Sequence, residues 1–191
     1  MKLKLMLASA VSALFLFTGC GDSIDENLVA SSKKEKNADT GFESKTFNLE
    51  TSDGKTMEVK TTLTGLDFKD YKGQKVVLVD IFATWCPPCI KGIPDMNALQ
   101  EKYGDDFEIV SILFEEDKTK EEIDAFVKKH GINYPVTVGA ENFRFSKELG
   151  EVTKVPEYYL YAKDGTYIKE FVGETPKETF VKFIENAIVN D

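Results

Sequence analysis

The stretch that decides the fold is VVLVDIFATWCPPCIKGIP, Val76 to Pro94. Its first half is a near-continuous apolar run broken by one acid, Asp80, the pattern of a strand covered on both faces. From Pro88 to about Tyr103, residues Ile90, Ile93, Leu99 and Tyr103 fall near helical spacing, so the strand feeds a helix. Cys86 and Cys89 stand at that junction. A cysteine in a helix's first turn lies among unpaired backbone N–H groups at the positive end of the dipole, which favours thiolate over thiol. Cys86 is therefore expected to attack, and Cys89, one turn deeper and shielded, to resolve. Pro88 presets the helix entry, while Pro87 removes an N–H that would have stabilised the Cys86 thiolate, moderating its acidity. The competing readings are half of a zinc site or an inert structural disulfide. Zinc needs two more ligands, and the candidates of the right softness are Cys20 and the single histidine, His130; no metal is expected.

On either side of this junction the chain alternates strands and helices. SKTFNLETSDGKTMEVKTTL carries two alternating runs around Asp53-Gly54, a hairpin signal. DFEIVSILF is a second buried strand. KEEIDAFVKKHG is an amphipathic helix with Ile123, Phe126 and Val127 inward and Gly131 as its stop. YPVTVG is a short extended piece and NFRFSKELG a short helix. EYYLYAKDGTYIKEFVG makes two strands around Asp164-Gly165. Thr175-Pro176-Lys177-Glu178 reads as a capping box with Pro at the first helical position, opening a closing helix whose inward face is Phe180, Phe183, Ile184, Ala187 and Ile188. Phe143 and Phe145 are expected in the core and the groove wall, and His130 on the surface. There is no internal repeat, Gly-rich phosphate loop, nucleophilic Ser/His set or basic stripe, and no soluble cofactor is implied.

The order βαβα then ββα, with FATWCPPC at a strand–helix junction, resembles the thioredoxin superfamily, and within it the membrane-tethered TlpA/ResA/CcmG-like thiol-disulfide oxidoreductases. The resemblance covers nearly all of residues 43–191. It implies an α/β thioredoxin-like fold: a central mixed β-sheet flanked by helices, with an N-terminal β-hairpin. The helix after the second buried strand, with YPVTVGAENFRFSKELG, fits the extra strand and helix of this branch.

The resemblance also assigns roles. Asp80, six residues before Cys86, matches the buried acid that handles the proton of the deeper cysteine; an apolar strand should raise its pKa. Many ResA- and CcmG-like chains carry Glu three residues after the second cysteine, where this chain has Gly92, so Asp80 is expected to substitute for that acid. The other reading of Asp80 is an acid near a sheet edge paired with a lysine. Val155-Pro156 matches the cis-proline that faces the CxxC, with Val155 offering its N–H and C=O to an extended client; the other reading is an ordinary trans proline opening a strand. Glu157 matches the Pro-Glu of the cytochrome c maturation branch. Trp85, with Pro87 and Pro88, is expected to shape the docking surface. Pro94 corresponds to a helix-kinking proline, and Gly173 to a glycine that leaves room beside the active site.

The ends and the charge bound the compartment. MKLKLMLASAVSALFLFTGC has Lys2 and Lys4 before an apolar stretch, Leu5 to Phe17, too short for a spanning helix of ~20 residues. It reads as an export signal, residues 1–19. FTGC resembles the lipobox of bacterial lipoproteins, with Phe17 where Leu is usual, so Cys20 is expected to carry lipid; the other readings are a plain secretory signal or an uncleaved anchor. Residues 20–42, polar and poor in apolar side chains, read as a flexible tether. Residues 43–191 are long enough for one domain with a proper core. The net charge of -9 becomes -11 once Lys2 and Lys4 leave with the signal, because 24 basic residues become 22 against 33 acidic ones. That balance argues against nucleic acid or anionic lipid as the main partner.

The expectation is a monomeric, lipid-anchored thiol-disulfide oxidoreductase on the periplasmic side of the cytoplasmic membrane. The resemblance implies protein thiol/disulfide clients such as the oxidised CxxCH of apocytochrome c or a maturation partner, with a membrane electron donor of the DsbD/CcdA kind. Three alternatives stay open: a redox-gated client-binding module or haem-protein chaperone, a thiol oxidase, and a thiol peroxidase.

Overall fold

The computed structural model describes residues 41–190; the expected export signal, Cys20 and nearly all of the tether lie outside the described residues. In chain order the elements are strands β1 (Thr46–Thr51), β2 (Thr56–Thr61), β3 (Leu66–Phe68) and β4 (Val76–Phe82), helix α1 (Pro87–Tyr103), strand β5 (Phe107–Leu113), helix α2 (Lys120–His130), strand β6 (Val136–Val138), helix α3 (Glu141–Leu149), strands β7 (Glu157–Tyr161) and β8 (Tyr167–Val172), and helix α4 (Lys177–Val189). The strands form one mixed sheet in the order β3, β2, β1, β6, β5, β4, β7, β8. β4 pairs in parallel with β5 and antiparallel with β7, which places it among the central strands. This is the thioredoxin-like fold, and its N-terminal hairpin is joined to the sheet through β1 and β6.

Both faces of β4 are covered, which explains its unbroken apolar run. Val76 and Leu78 pack with Met96 and Leu99 of α1, Phe180 and Ile184 of α4, and Phe107 and Ile109 of β5. Farther along the same face, Phe82 and Leu113 meet Ile123 of α2 and both cysteines. Val77, Val79 and Ile81 point the other way, into a core shared with Phe47, Leu49, Val59 and Phe68 of the first three strands and Phe145 of α3.

That second core is closed by the sheet curling on itself. The turn before β3 meets the β7–β8 turn: Leu66 N–H donates to Gly165 O at 2.9 Å and Tyr167 N–H to Thr64 O at 2.8 Å. Two glycines make the approach possible. A Cβ on Gly65 would lie 2.3 Å from Gly165 O, and one on Gly165 2.0 Å from Leu66 O. The three-residue β3 was not among the strands expected from the sequence, because so short a segment carries no measurable alternation.

Capping differs from expectation at two helices. α4 begins at Lys177 with Pro176 as its N-cap and no side-chain cap; the Thr175 hydroxyl donates back to Gly173 O instead, so the expected capping box is absent. A reciprocal box does form at α2, where Thr119 and Glu122 satisfy each other's backbone N–H groups.

Gly165→Ala is expected to cost about 3 kcal/mol or more, because a left-handed backbone (φ +89°) and a backbone clash act together. Gly73→Ala, equally left-handed (φ +70°) but with open space around the new methyl, should cost only about 1–2 kcal/mol. Urea midpoints of the two variants check the difference.

Candidate active site

The end of β4 delivers the chain through Ala83, Thr84 and Trp85 to Cys86, which is the N-cap of α1 with extended backbone. In that geometry its side chain points back over the first turn, and the Cys89 N–H donates to Cys86 Sγ at 3.2 Å. Pro87 and Pro88 hold the first two helical positions and have no N–H to give. The next donor, Ile90 N–H, closes on Cys86 O at 3.1 Å. The sulfur therefore has one backbone donor from the helix, together with the dipole behind it. Pro94 lies inside the helix, as expected.

Cys86 and Cys89 are joined in a disulfide, with Cα atoms 5.3 Å apart. Both are buried: Cys86 is 2 % exposed and Cys89 8 %. The anticipated contrast between a reachable Cys86 and a shielded Cys89 is thus not visible as area in the oxidised state. What separates them is position, since Cys86 caps the helix while Cys89 sits inside it. The Val155–Pro156 peptide bond is cis, and Val155 O lies 3.6 Å from Cys86 Sγ. Gly173 N–H donates to Pro156 O at 2.8 Å, tying this loop to the end of β8. Trp85 is 65 % exposed beside the pair, so its ring is available to a partner.

Asp80 lies in the middle of β4, with two strands between it and the nearer sheet edge, on the face that also carries Leu78 and Phe82. It accepts from Ser111 Oγ at 2.7 Å, its neighbour across the parallel β4–β5 ladder. Burial pushes its pKa up to about 7, opposed only by the Ser111 hydrogen bond. The other groups facing it are phenols: Tyr158, opposite on β7, and Tyr134, ahead of β6, are both raised, first by burial and then by the Asp80 charge. The sheet-edge alternative for Asp80 does not describe this position.

Gly92, where the resemblance would place a glutamate, opens a groove of about 510 Å³ lined by Pro88, Met96, Tyr158, Glu174 and Pro176 among others. A Cβ there would meet nothing nearer than Tyr158 Oη at 3.8 Å. Lys91 forms an ion pair with Glu174, another residue lining this groove.

Glu157 does not face outward. It is 2 % exposed. One oxygen accepts from Thr153 N–H at 3.1 Å, Thr153 Oγ1 at 3.2 Å and Lys154 N–H at 3.3 Å, and the other from Tyr159 Oη at 3.1 Å. Sequence reasoning missed Ser111 and Glu115. Ser111 was detectable as a polar residue flanked on both sides by apolar pairs in β5, which holds one other polar residue, Glu108. Glu115 sits just past that strand and accepts from Thr84, two residues before Cys86. His130 packs its ring 4.4 Å from Phe126, and among the described residues no cluster suited to a metal ion is present.

Comparison with known proteins gives a consistent picture. The Redoxin family model matches residues 43–188. The thiol-disulfide oxidoreductase ResA of Bacillus cereus is 30% identical over 97% of this chain and 98% of its own length. ResA of Bacillus thuringiensis is 32% identical over 80% of each chain. Among solved structures, a thioredoxin-family thiol:disulfide interchange protein from Chlorobium tepidum has a TM-score of 0.58 and 27% identity, covering 75% of this chain and 93% of its own. The exposed lipoprotein thioredoxin of Streptococcus pneumoniae shares the fold, with a TM-score of 0.59 and 23% identity over 74% of this chain and 99% of its own.

The Asp80 environment has a consequence for stability. The native carboxyl keeps its proton up to about pH 7, whereas the unfolded chain loses it near 3.8, so between those values the native state binds more protons and stability falls as pH rises. Asp80→Asn does not titrate. Oxidised Asp80→Asn should match the wild type near pH 4 and exceed it at pH 8 by on the order of 4 kcal/mol. Urea unfolding across that range reads the gap, and a pH-independent difference would contradict the assignment.

Proposed function

Because this chain belongs to the Redoxin family and is a thiol-disulfide oxidoreductase of the TlpA/ResA-like kind, we propose that it runs its Cys86–Cys89 pair as a reductase of protein disulfides outside the cytoplasmic membrane. The observation that carries this reading is the placement of Cys86 Sγ at a helix N-cap, 3.6 Å from the carbonyl that precedes a cis-proline. A sulfur in that place meets a client whose backbone lies extended beside Val155.

In the forward direction the Cys86 thiolate attacks one sulfur of a client disulfide, and the other client sulfur leaves as a thiolate. Asp80 then takes the proton of Cys89. The Cys89 thiolate attacks Cys86 Sγ and expels the second client sulfur, leaving the Cys86–Cys89 disulfide. Two electrons have passed from the dithiol to the client. A membrane dithiol donor of the DsbD/CcdA kind restores the pair. The clients are cysteine-bearing segments such as the oxidised CxxCH of apocytochrome c or a maturation partner, a reading supported by the resemblance to that branch. Domain 43–191 carries the chemistry, Trp85 with the two prolines forms the docking edge, and lipid on Cys20 with the tether 20–42 keeps the domain near the membrane.

Titration against glutathione tests the direction. A midpoint near about -270 mV fits a reductase, whereas one near about -120 mV would reverse the assignment. Cys89→Ser should accumulate a client joined to Cys86, visible by mass spectrometry after non-reducing separation. Release of client from the mixed disulfide should accelerate as pH rises through about 7, where Asp80 ionises. In Asp80→Asn it should be slower by on the order of 100-fold and lose that inflection. A wild-type release rate in that variant would remove Asp80 from the mechanism.

A further inference from the structure

Two loops face each other across the cysteine pair, and each is gripped in the same way. Ahead of Cys86, Thr84 donates both its backbone N–H, at 2.9 Å, and its hydroxyl, at 2.7 Å, to one oxygen of Glu115. Ahead of Val155 and Pro156, Thr153 donates its N–H and its hydroxyl to one oxygen of Glu157, which also takes Lys154 N–H. Both carboxylates sit at strand ends, Glu115 two residues beyond β5 and Glu157 first in β7. Both are largely withdrawn from solvent: the Glu115 side chain is 12 % exposed and Glu157 2 %. Their remaining oxygens are engaged as well, Glu115 near Lys118 Nζ at 3.7 Å and Glu157 by Tyr159 Oη.

Hydrogen bonds from N–H and O–H groups to a carboxylate are shorter and stronger than neutral ones. Segments 83–86 and 153–156 belong to no strand ladder, so these bonds supply the order that sheet pairing supplies elsewhere. The space between the loops is fixed by where they stop, with Cys86 Sγ against Val155 O. We propose that Glu115 and Glu157 are positioning residues for dithiol exchange, paired clamps that hold the cysteine loop and the cis-proline loop at the separation a client strand requires. This rests on the reading that clients reach Cys86 beside Val155. It also moves Glu157 from the client-contacting role expected of it to one that acts through the loop.

The test compares two oxidised substrates on the full chain: a peptide with a CxxCH disulfide, which must fit between the loops, and a small aromatic disulfide, which need not. Glu115→Ala and Glu157→Ala should each lower kcat/KM for the peptide on the order of 10-fold, mainly through KM, with the small disulfide changed by less than about two-fold. Thr84→Val should lower the same constant and add little in the Glu115→Ala background, as should Thr153→Val in Glu157→Ala. Glu115→Gln and Glu157→Gln keep the accepting oxygen and should recover most of the loss. Thr84→Val and Thr153→Val, each read on both substrates, carry the test if an alanine variant does not fold. Amide hydrogen exchange at Thr84, Thr153 and Lys154 should quicken in the alanine variants. Additive losses, or equal losses on both substrates, would overturn the clamps while leaving the oxidoreductase intact. A wild type that reduces the small disulfide but not the peptide would instead overturn the client path, and the clamps with it.

Discussion

The hydrogen bond from Cys89 N–H to Cys86 Sγ is the constraint on which the rest depends. A helix start ordinarily offers several unpaired N–H groups to an anion. Here two consecutive prolines delete the first two, and Ile90 N–H is spent on Cys86 O, so one donor is aimed at the sulfur. The arrangement stabilises a thiolate through one directed bond and the helix dipole, and it does so only while Cys86 remains the N-cap. That in turn requires β4 to end at a fixed point and α1 to start four residues beyond Phe82's neighbour Ala83, at Pro87.

The fold holds both ends of that requirement. β4 is flanked by β5 and β7 and covered by α1 and α4 on one face and by the curled N-terminal strands on the other. Fully burying each Val, Leu or Ile side chain in such a place contributes roughly 1.5–3 kcal/mol, so the strand cannot slide without large loss. The approach of Gly65 and Gly165 completes the enclosure on the side that carries no redox chemistry. The rigid part of the molecule is thus the sheet, and the two reactive loops hang from its strand ends.

Much of this was legible from residue pattern. The buried runs of β4 and β5, the turns at Asp53-Gly54 and Asp164-Gly165, and the Gly131 helix stop all announce themselves, because each rests on local chemistry or on a period. The cysteine pair and its place at a strand–helix junction were legible too. What escaped was decided by contacts between distant segments. β3 pairs with β2, and its start is anchored where Gly65 docks on the β7–β8 turn, a contact between residues about a hundred positions apart. Thr175 fails as a cap because its hydroxyl is claimed by Gly173 O, whereas the box that does form, Thr119 with Glu122, has its spacing written in the sequence. Glu157 turns inward because Thr153 and Lys154 present three donors to it, which no spacing rule encodes. Ser111 could have been suspected for the same reason as Asp80, being polar in an apolar strand, but their pairing depends on register across two strands.

Placing the acid on a strand instead of on the helix changes its chemistry. A side chain at position 92 would enter the groove beside α1, on the helix and outside the interior of the sheet. Space does not forbid one, since a Cβ at Gly92 meets only Tyr158 Oη at an ordinary contact distance. Asp80 is buried instead. Surrounded by the sheet, α1 and two phenols, with one hydroxyl donating to it, it holds its proton to about pH 7. An acid of that strength is close to balanced between its two forms at neutral pH, the condition that the proposed proton transfer from Cys89 sets for it. With Gly92 in place of a glutamate, the charged groups that line this groove are Lys91, Asp95 and Glu174. In the proposed mechanism the proton is thus handled inside the sheet, apart from the surface groove that a side chain at position 92 would enter.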